Sequence, residues 1–430
     1  MTPARIAELF SKPLKVNKLT LANRVVMGPM AANAPTKAGG PSEQTIAFYE
    51  ARAKGGVGMI IAGGIVATNR SRIEAPNKTS LRFDIDDFIP DLKRVADAVH
   101  RYNVPIIAEI MPGFGRMGVP GPGRPTISAS PLECVIPEER FPAGIMVPGG
   151  RITPVPDEAT IVEIERYEAE MVASAVRAHK AGWDGVEVAA HMSYFAASFL
   201  APRTNWRTDQ YGGSVENRAR MLTNIVDGIR EQLGRDFVIG LRIVADDYIE
   251  GSQGATGYAE VAKAVEAAGI DYLALTPAVY ETMDINASTK DGALVNDGVA
   301  RTHRDVISVP IIVQGQHKPA NAAEVLQQDL GDLVSFARQL LADPELANKL
   351  TSGRADEVVR CRRQNDCLRR MIFGFEVRCP VNPSMGRESR KAGALPPTRR
   401  MVQVPVEKAV MGLTGSKALM GLASKLAKKK

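Results

Sequence analysis

Eight short apolar runs, separated by helical patterns, constrain the fold of this chain more than any other feature. The runs are rich in Val, Ile, Leu and small residues and are bounded by polar or glycine-containing segments, as buried parallel strands are. They extend from Arg24 to Met30, Val57 to Gly64, Val104 to Met111, Gly185 to His191, Phe237 to Val244, Ile270 to Pro277, Val309 to Gln316 and Leu333 to Arg338. Apolar residues three or four positions apart predict helices between most of them, for example Asp157 to Ala181, Val215 to Leu233 and Ala320 to Leu330.

The alternation predicts an α/β fold with a single (β/α)8 TIM barrel, because no break in composition marks a linker between two halves. We expect the barrel to occupy residues 1–350. A cysteine-containing segment, 351–390, should follow, and then a basic tail, 391–430, that is flexible or forms an amphipathic helix. The stretch from Gly113 to Pro156 is rich in Pro and Gly and too long for a plain connection, so it predicts a loop that shapes a pocket above the barrel.

The formal net charge of +6 comes from the C-terminal tail rather than from a uniformly basic surface. Eleven Lys and Arg residues but only two Glu lie between Arg387 and Lys430, which leaves the rest of the chain mildly acidic. No nucleic-acid-binding motif accompanies this charge, so we expect no nucleic-acid partner. The end of the tail, Ser416 to Lys430, is either a frayed solubilising end or a basic helix for a membrane surface or a partner protein.

The distribution of apolar residues favours a cytoplasmic protein. No apolar run approaches the roughly 18 residues that a membrane helix needs. From Met1 to Lys15, charges are scattered where a secretory signal would have a continuous apolar stretch.

Residues at the carboxyl ends of the strands are the candidates for chemistry, because TIM barrels place their active sites there. Gly315 lies at the end of the seventh run and Arg338 ends the eighth, and a bare backbone beside a guanidinium group is typical of a phosphate cradle. Arg242 lies inside the fifth run, where a buried cation must have a partner. That partner is either an anionic or electron-rich ligand or a carboxylate of the chain itself.

Three segments of the chain resemble the Old Yellow Enzyme group of FMN-dependent oxidoreductases. The run Asn205 to Arg220, NWRTDQYGGSVENRAR, is similar to the signature loop and helix of that group. Leu21 to Met30 and Ala337 to Pro344 match the same family in order and spacing. The resemblance extends over residues 9–390 and implies a TIM barrel that binds FMN at its strand ends.

The same resemblance assigns residues to the cofactor. It implies that Arg242 lies against the flavin, and that Glu109 or Ile110 stands where the family has a ring-contacting Gln. The residues expected to bind FMN are Pro29, Met30, Ala31, Ala62 with its neighbour Gly63, Arg242, Gly315, Ala337 and Arg338. NADH or NADPH is the expected hydride donor.

The fourth run departs from the family at the positions that contact substrate. The family has two polar residues three positions apart, often both His, followed by a Tyr that donates a proton. This chain has Ala189, Met192 and Tyr194 there, so Tyr194 is the first candidate catalytic residue. His191 is the second, although it lies one residue out of register and would point to the other face of the strand unless a bulge reorients it.

Cys361, Cys367 and Cys379 resemble part of the four-cysteine iron-sulfur motif of the 2,4-dienoyl-CoA reductase and trimethylamine dehydrogenase branch. Gln364 stands at the second ligand position, and a neutral amide is a poor ligand for iron. Three interpretations stay open: a 4Fe-4S cluster with an unusual fourth ligand, a segment of reduced Cys without metal, or another metal. Cys134 is too isolated in sequence to be assigned as the fourth ligand.

Together these residues predict an FMN-dependent oxidoreductase that moves hydride between a nicotinamide or a partner protein, the flavin and a small organic substrate. Reduction of an activated alkene is the family's commonest chemistry, and the apolar residues Ala189 and Met192 leave an amine oxidation open. The alternatives are a degenerate flavin-binding subunit and an FMN-dependent isomerase. No second dinucleotide-binding motif follows Glu388, so electrons are expected from bound nicotinamide or from a separate electron-transfer protein. We expect a homo-oligomer.

Overall fold

A barrel of eight parallel strands forms the centre of the computed structural model, which describes residues 1–76, 80–288, 290–390, 398–416 and 419–420. In chain order the barrel strands are β1 Val25–Met27, β2 Met59–Val66, β3 Ile106–Met111, β4 Gly185–Ala190, β5 Val238–Asp246, β6 Tyr272–Pro277, β7 Ile311–Gln314 and β8 Leu333–Phe336. Strand β8 pairs with β1 and closes the barrel. Each strand overlaps one predicted run, so the α/β barrel prediction is confirmed.

Helices surround the barrel, and the two longest begin at side-chain caps. Helix Val215–Leu233 has the predicted bounds and begins after Ser214, whose Oγ accepts a hydrogen bond from the backbone N–H of Asn217. Helix Ile161–Lys180 begins after the cap Thr160, four residues later than predicted, because the preceding residues pair as a short strand. The other helices are Pro3–Phe10, Glu43–Lys54, Asn69–Glu74, Ile89–His100, Gly254–Ala267, Met283–Asn286, Ala293–Asn296, Val299–Arg304, Pro319–Gln327, Arg338–Ala342, Leu346–Thr351, Asp366–Ile372 and Thr398–Thr414.

The interior of the barrel changes from apolar to polar along its axis. At the amino ends of the strands, an apolar cluster that includes Val26, Met59 and Tyr272 packs against a hairpin formed by Leu14–Val16 and Leu19–Leu21. Towards the carboxyl ends the buried side chains of β3, β4 and β5 include two glutamates and an arginine. The apolar end therefore stabilises the barrel, and the polar end is the place for chemistry.

The long loop from 113 to 156 carries small sheets of its own. Val135–Ile136 pairs with Arg151–Ile152, and Ile127–Ser128 pairs with Asp157–Glu158. The loop is therefore ordered by backbone pairing, together with the short 3-10 helices Gly115–Met117 and Glu138–Arg140.

The segment that follows the barrel packs back onto it. Fully buried Arg52 forms an ion pair of 2.7 Å with Glu388, and the side chain of Asn33 donates hydrogen bonds to backbone oxygens of Met371 and Phe375. These contacts join the segment after the barrel to the loop after β1 and to helix Glu43–Lys54.

The basic tail is described only in part. Helix Thr398–Thr414 is joined to the preceding helix by an ion pair between Glu407 and Arg370. The predicted helix from Ser416 to Lys430 falls almost wholly outside the described residues. In the part of the chain that the structure describes, no helix has both the length and the apolar character needed to cross a bilayer.

Candidate active site

A buried charge cluster occupies the polar end of the barrel. Arg242 on β5 donates from Nε to Glu187 Oε1 on β4 at 2.6 Å and from Nη1 to Gln314 Oε1 on β7 at 3.0 Å. Glu109 on β3 lies 3.4 Å from the same Nε. The sequence left open whether a ligand or a carboxylate of the chain would be the partner of Arg242, and the structure shows a carboxylate of the chain. The guanidinium also contacts Gln314 at the end of β7.

Two carboxylates share one guanidinium in this cluster, and their pKa values move in opposite directions. Burial raises the pKa of Glu187 in spite of the neighbouring Arg242. Burial opposes ionisation of Glu109 as well, but His191, Arg242 and the backbone N–H of Gly64 together hold its pKa below the ordinary value. Glu109 is thus the ionised carboxylate, and Glu187 is the one that favours protonation.

His191 lies beside Glu109, with Nε2 at 3.1 Å from Oε1. The residue follows the last paired residue of β4, and Met192 next to it adopts a left-handed φ of 56°. The alternation of side chains along β4 therefore does not determine the direction of the His191 side chain. Because an ionised carboxylate only accepts hydrogen bonds, Nε2 carries a hydrogen. The other ring nitrogen, Nδ1, is buried and has no hydrogen-bond partner among the described residues.

Tyr194 stands between His191 and a second tyrosine, Tyr280. The two phenol oxygens are 2.8 Å apart, and the His191 and Tyr194 rings meet edge to face with centroids at 5.5 Å. Burial raises the pKa of Tyr194 well above its ordinary value, so the phenol is protonated at neutral pH. Sequence reasoning missed Tyr280, although it lies three residues beyond β6, where strand-end residues are expected to serve the site.

The two apolar replacements on β4 offer no donor. Ala189 is paired with Arg242 across the β4–β5 ladder and belongs to a small apolar cluster with Phe114. The sulfur of Met192 accepts a hydrogen bond from the side chain of Asn286 at 3.2 Å. His191 and Tyr194 are thus the ring side chains with polar atoms that this loop brings to the end of the barrel.

The ends of β1 and β2 lie in close contact. A Cβ at Gly63 would stand 2.4 Å from Pro29 Cβ and 2.6 Å from Met30 N. Met30 and Ala31 are partly exposed at this rim, whereas Ala62 belongs to the core between barrel and helices. Of the small residues predicted there, Gly63 rather than Ala62 faces β1.

Gly315 and Arg338 lie at the ends of neighbouring strands β7 and β8. Gly315 has a φ of 93°, and no atom stands within 4 Å of the position that a Cβ would occupy. Arg338 donates to Asn365 Oδ1 at 2.6 Å and to His317 Nε2 at 3.3 Å, and no carboxylate pairs with it among the described residues. Ala337, also predicted here, precedes the helix that begins at Arg338.

His317 completes this group. Burial and the neighbouring Arg338 lower the pKa of His317 to about 4, so the ring is neutral at physiological pH. Nδ1 is buried and has no hydrogen-bond partner among the described residues. The guanidinium of Arg338 donates to Asn365, His317 and the backbone oxygens of Ala287 and Ser288 but has no carboxylate partner among the described residues. Its charge and the unpartnered ring N–H of His317 suit a phosphate group.

The three C-terminal cysteines converge. Cys361, Cys367 and Cys379 line one small cavity with Gln364 and Arg338, and all are free thiols. No group of three or more His, Cys, Asp or Glu side chains is arranged to hold a metal ion in the ranges that the structure covers. Cys134 belongs to a different cluster, with Met117 and Ile136 against Tyr194 and Tyr280. The three thiols therefore share a cavity without forming a group arranged to hold a metal ion among the described residues.

A family model described as NADH:flavin oxidoreductase / NADH oxidase matches residues 8–357. The NADH oxidase of Thermoanaerobacter brockii is 32% identical over 434 residues, which cover 98% of this chain and 62% of that protein. The cinnamate reductase of Clostridium sporogenes is 30% identical, over 87% of this chain and 58% of that protein. The chain thus spans less than two thirds of the length of these relatives.

Solved structures of two reductases are also similar to this chain. A 2-naphthoyl-CoA reductase is similar with a TM-score of 0.79 and 28% identity, over 91% of this chain and 59% of that chain. Morphinone reductase is similar with a TM-score of 0.65 and 25% identity, over 80% of this chain and 91% of that chain.

Proposed function

The chain belongs to the NADH:flavin oxidoreductase / NADH oxidase family, and from this we propose that it is an FMN-dependent ene-reductase. It would use NADH or NADPH to reduce an activated carbon–carbon double bond in a small organic molecule. The observation that carries the proposal is the protonated phenol of Tyr194 beside His191 at the polar end of the barrel. A proton donor and an imidazole with one unpartnered nitrogen suit the carbon and the carbonyl oxygen of an α,β-unsaturated carbonyl compound.

The residues at the ends of β7 and β8 fit the phosphate of FMN. Gly315 leaves room for an oxyanion at its backbone, and Arg338 is a partly buried cation with no carboxylate partner among the described residues. The unpartnered Nδ1 of His317 adds a donor. When bound, FMN accepts a hydride from the nicotinamide and passes it to the substrate. Pro29, Met30 and Gly63 would form the wall of the ring site, and Arg242 would lie beneath it.

The protein's own residues then have three tasks. Arg242, held by Glu187 and Gln314, keeps a fixed positive charge at the end of β5, which favours negative charge on a neighbouring ligand. Tyr194 donates the proton that the reduced alkene needs. Glu109 fixes Nε2 of His191, which leaves Nδ1 as the ring atom that would face the substrate carbonyl. The loop from 113 to 156 packs Cys134 and Ile136 against the tyrosines and limits access of water.

The thiols of Cys361, Cys367 and Cys379 have no electron-transfer role in this proposal, because they do not form a metal-holding group with another described His, Cys, Asp or Glu. Electrons come from NADH or NADPH directly. A separate electron-transfer protein, and assembly of several copies of the chain, are compatible with the proposal and are not required by it.

A second candidate activity is dehydrogenation of an amine. A neutral His191 that donates through Nε2 to Glu109 presents Nδ1 as a base, the group that removes a proton from a substrate N–H. The N,N-dimethylglycine/sarcosine dehydrogenase of Chromohalobacter salexigens is 30% identical to this chain. In this activity the substrate loses a hydride and a proton, and a dye or another electron acceptor takes up the electrons.

Anaerobic purification and visible spectroscopy test the proposed function. We expect the absorption bands of bound FMN, their bleaching by NADH or NADPH, and their return when 2-cyclohexen-1-one is added. Sarcosine added to the oxidised protein is the matched probe for the amine activity, since it should bleach the bands only if that activity is present. Protein that neither carries nor takes up FMN would refute both assignments, and flavin that NADH and NADPH bleach but the enone does not reoxidise would refute the ene-reductase.

A further inference from the structure

Tyr280 is a buried phenol that the proposed chemistry has not yet used. Its oxygen is 2.8 Å from that of Tyr194, and the two rings meet edge to face with centroids at 5.6 Å. Two phenols have two hydrogens, and their mutual hydrogen bond uses only one of them. The second hydrogen is therefore available to a third group, which makes the pair suited to proton transfer.

A buried ion-pair clamp holds Tyr280 in this position. Ser193 accepts a hydrogen bond from the backbone N–H of Tyr280 at 3.2 Å and donates to Glu281 Oε2 at 2.7 Å. Glu281 is paired at 2.5 Å with Arg116, whose side chain is 3% exposed, and Arg203 lies at 3.4 Å. The clamp joins the loop after β4 to the loop after β6, so the tyrosines that follow Ser193 and precede Glu281 are kept in contact.

The groups around Tyr280 favour its protonated form. Burial raises the pKa of Tyr280, and the neighbouring Cys134 raises it further, whereas Tyr194 and Arg151 act in the opposite direction. Cys134 itself is a neutral thiol, because burial raises its pKa well above the ordinary value. Tyr280 therefore has an O–H to donate whenever Tyr194 becomes negative.

We propose that Tyr280 is a positioning residue for proton transfer: its hydroxyl donates to the oxygen of Tyr194, directs the Tyr194 hydrogen towards the substrate and stabilises the phenolate left behind. The inference rests on the proposed ene-reductase function. The Tyr194 O–H bond breaks as a C–H bond forms at the substrate carbon next to the carbonyl. The hydride equivalent from NADH or NADPH supplies the electron pair for the other new C–H bond. A proton from water then restores Tyr194.

A double-mutant cycle tests the inference on the flavin-loaded enzyme. Protein reduced with NADPH is mixed with 2-cyclohexen-1-one, and single-turnover rates are compared for wild type, Y280F, Y194F and Y194F/Y280F. Y280F should slow reoxidation by the enone roughly 10- to 100-fold, the effect of one charge-assisted hydrogen bond. Its solvent isotope effect should increase, and reduction by NADPH should keep its rate. Y280F should cause no further loss in the Y194F background.

Tyr102 is exposed in the turn after helix Ile89–His100, so Y102F is the matched control and should behave as wild type. A purely structural Tyr280 would slow both half-reactions, or would lower the rate equally in the presence and absence of the Tyr194 hydroxyl, and either result overturns the inference.

A second measurement separates failure of this inference from failure of the proposed function. Wild type that does not reduce the enone refutes the ene-reductase, and the inference is then decided without turnover. In protein labelled with difluorotyrosine, ¹⁹F NMR reports the ionisation of Tyr194 directly. Y280F should raise the Tyr194 pKa because its phenolate loses a donor, and an unchanged or lowered Tyr194 pKa, the result expected if Tyr194 instead donates to Tyr280, overturns the inference.

Discussion

The charge cluster in the barrel makes a strong prediction for Arg242→Met. Arg242 is the cation that faces both Glu187, at 2.6 Å, and Glu109, at 3.4 Å. Met fills a similar volume but removes the charge. Two buried carboxylates then lie close together without the guanidinium between them, and at least one must remain ionised without that counter-ion or take up a proton.

The cost follows from the burial of the cluster. Removing one member of a fully buried ion pair leaves an uncompensated charge and lowers the free energy of unfolding by about 3–5 kcal/mol. Loss of Arg242 raises the pKa of both carboxylates in the folded protein above their unfolded values, so the folded state binds more protons than the unfolded state. Stability of Arg242→Met should therefore fall as pH rises, and its deficit should be largest at pH 8 and smaller at pH 5.

Glu187→Gln is the matched variant. It removes the carboxylate whose pKa burial already raises, and it leaves Arg242 with Glu109, so about 1–2 kcal/mol is expected. Urea unfolding of flavin-depleted protein at pH 5 and pH 8 measures both variants and excludes effects of cofactor binding. The reasoning is refuted if Arg242→Met costs no more than Glu187→Gln, or if its deficit is independent of pH.

Three further predictions concern the cofactor, the pH dependence and the substrate. Arg338→Ala should weaken FMN binding about 100-fold or more, as quenching of FMN fluorescence measures, while Arg338→Lys keeps the charge and should lose less; normal affinity in Arg338→Ala would contradict the phosphate assignment. Burial raises the pKa of Glu168 to about 7, so wild-type stability should fall between pH 5 and 7, and Glu168→Gln should have the higher Tm at pH 8 with a gap that closes near pH 5; equal gaps at both pH values would argue against this. His at both Ala189 and Met192 should raise enone turnover about tenfold if missing donors limit it, and no gain would show that they do not.

The barrel could be predicted because the sequence patterns that specify its strands and helices extend over only a few neighbouring residues. Strands buried on both faces read as continuous apolar runs, and each of the eight runs overlaps an observed strand. Helix Val215–Leu233 was predictable to the residue, since Ser214 caps its start and Gly234, with a φ of 73°, ends it. The start of helix Ile161–Lys180 was harder to predict from the sequence, because the competing strand at Asp157–Glu158 depends on a partner about 30 residues away in the chain.

Residues of the site could be predicted from the sequence only where they lie at the ends of barrel strands. Gly315 and Arg338 were located from the order of strands in a TIM barrel, and they lie at neighbouring strand ends. The direction of His191 depends on the left-handed backbone at Met192, which no side-chain pattern announces. Tyr280 is 86 residues from Tyr194 in sequence, so their contact depends on how two loops meet.

The sequence by itself thus determined the barrel, the strand ends at which chemistry occurs and the family to which the chain belongs, because periodicity and motifs act over a few neighbouring residues. Only the tertiary structure decided that Arg242 pairs with Glu187, that His191 faces Glu109 and that Tyr280 meets Tyr194. Each of these contacts joins different strands or loops, and burial makes an unpartnered polar group too costly to leave. The choice among possible partners is therefore made by packing and register across the whole barrel.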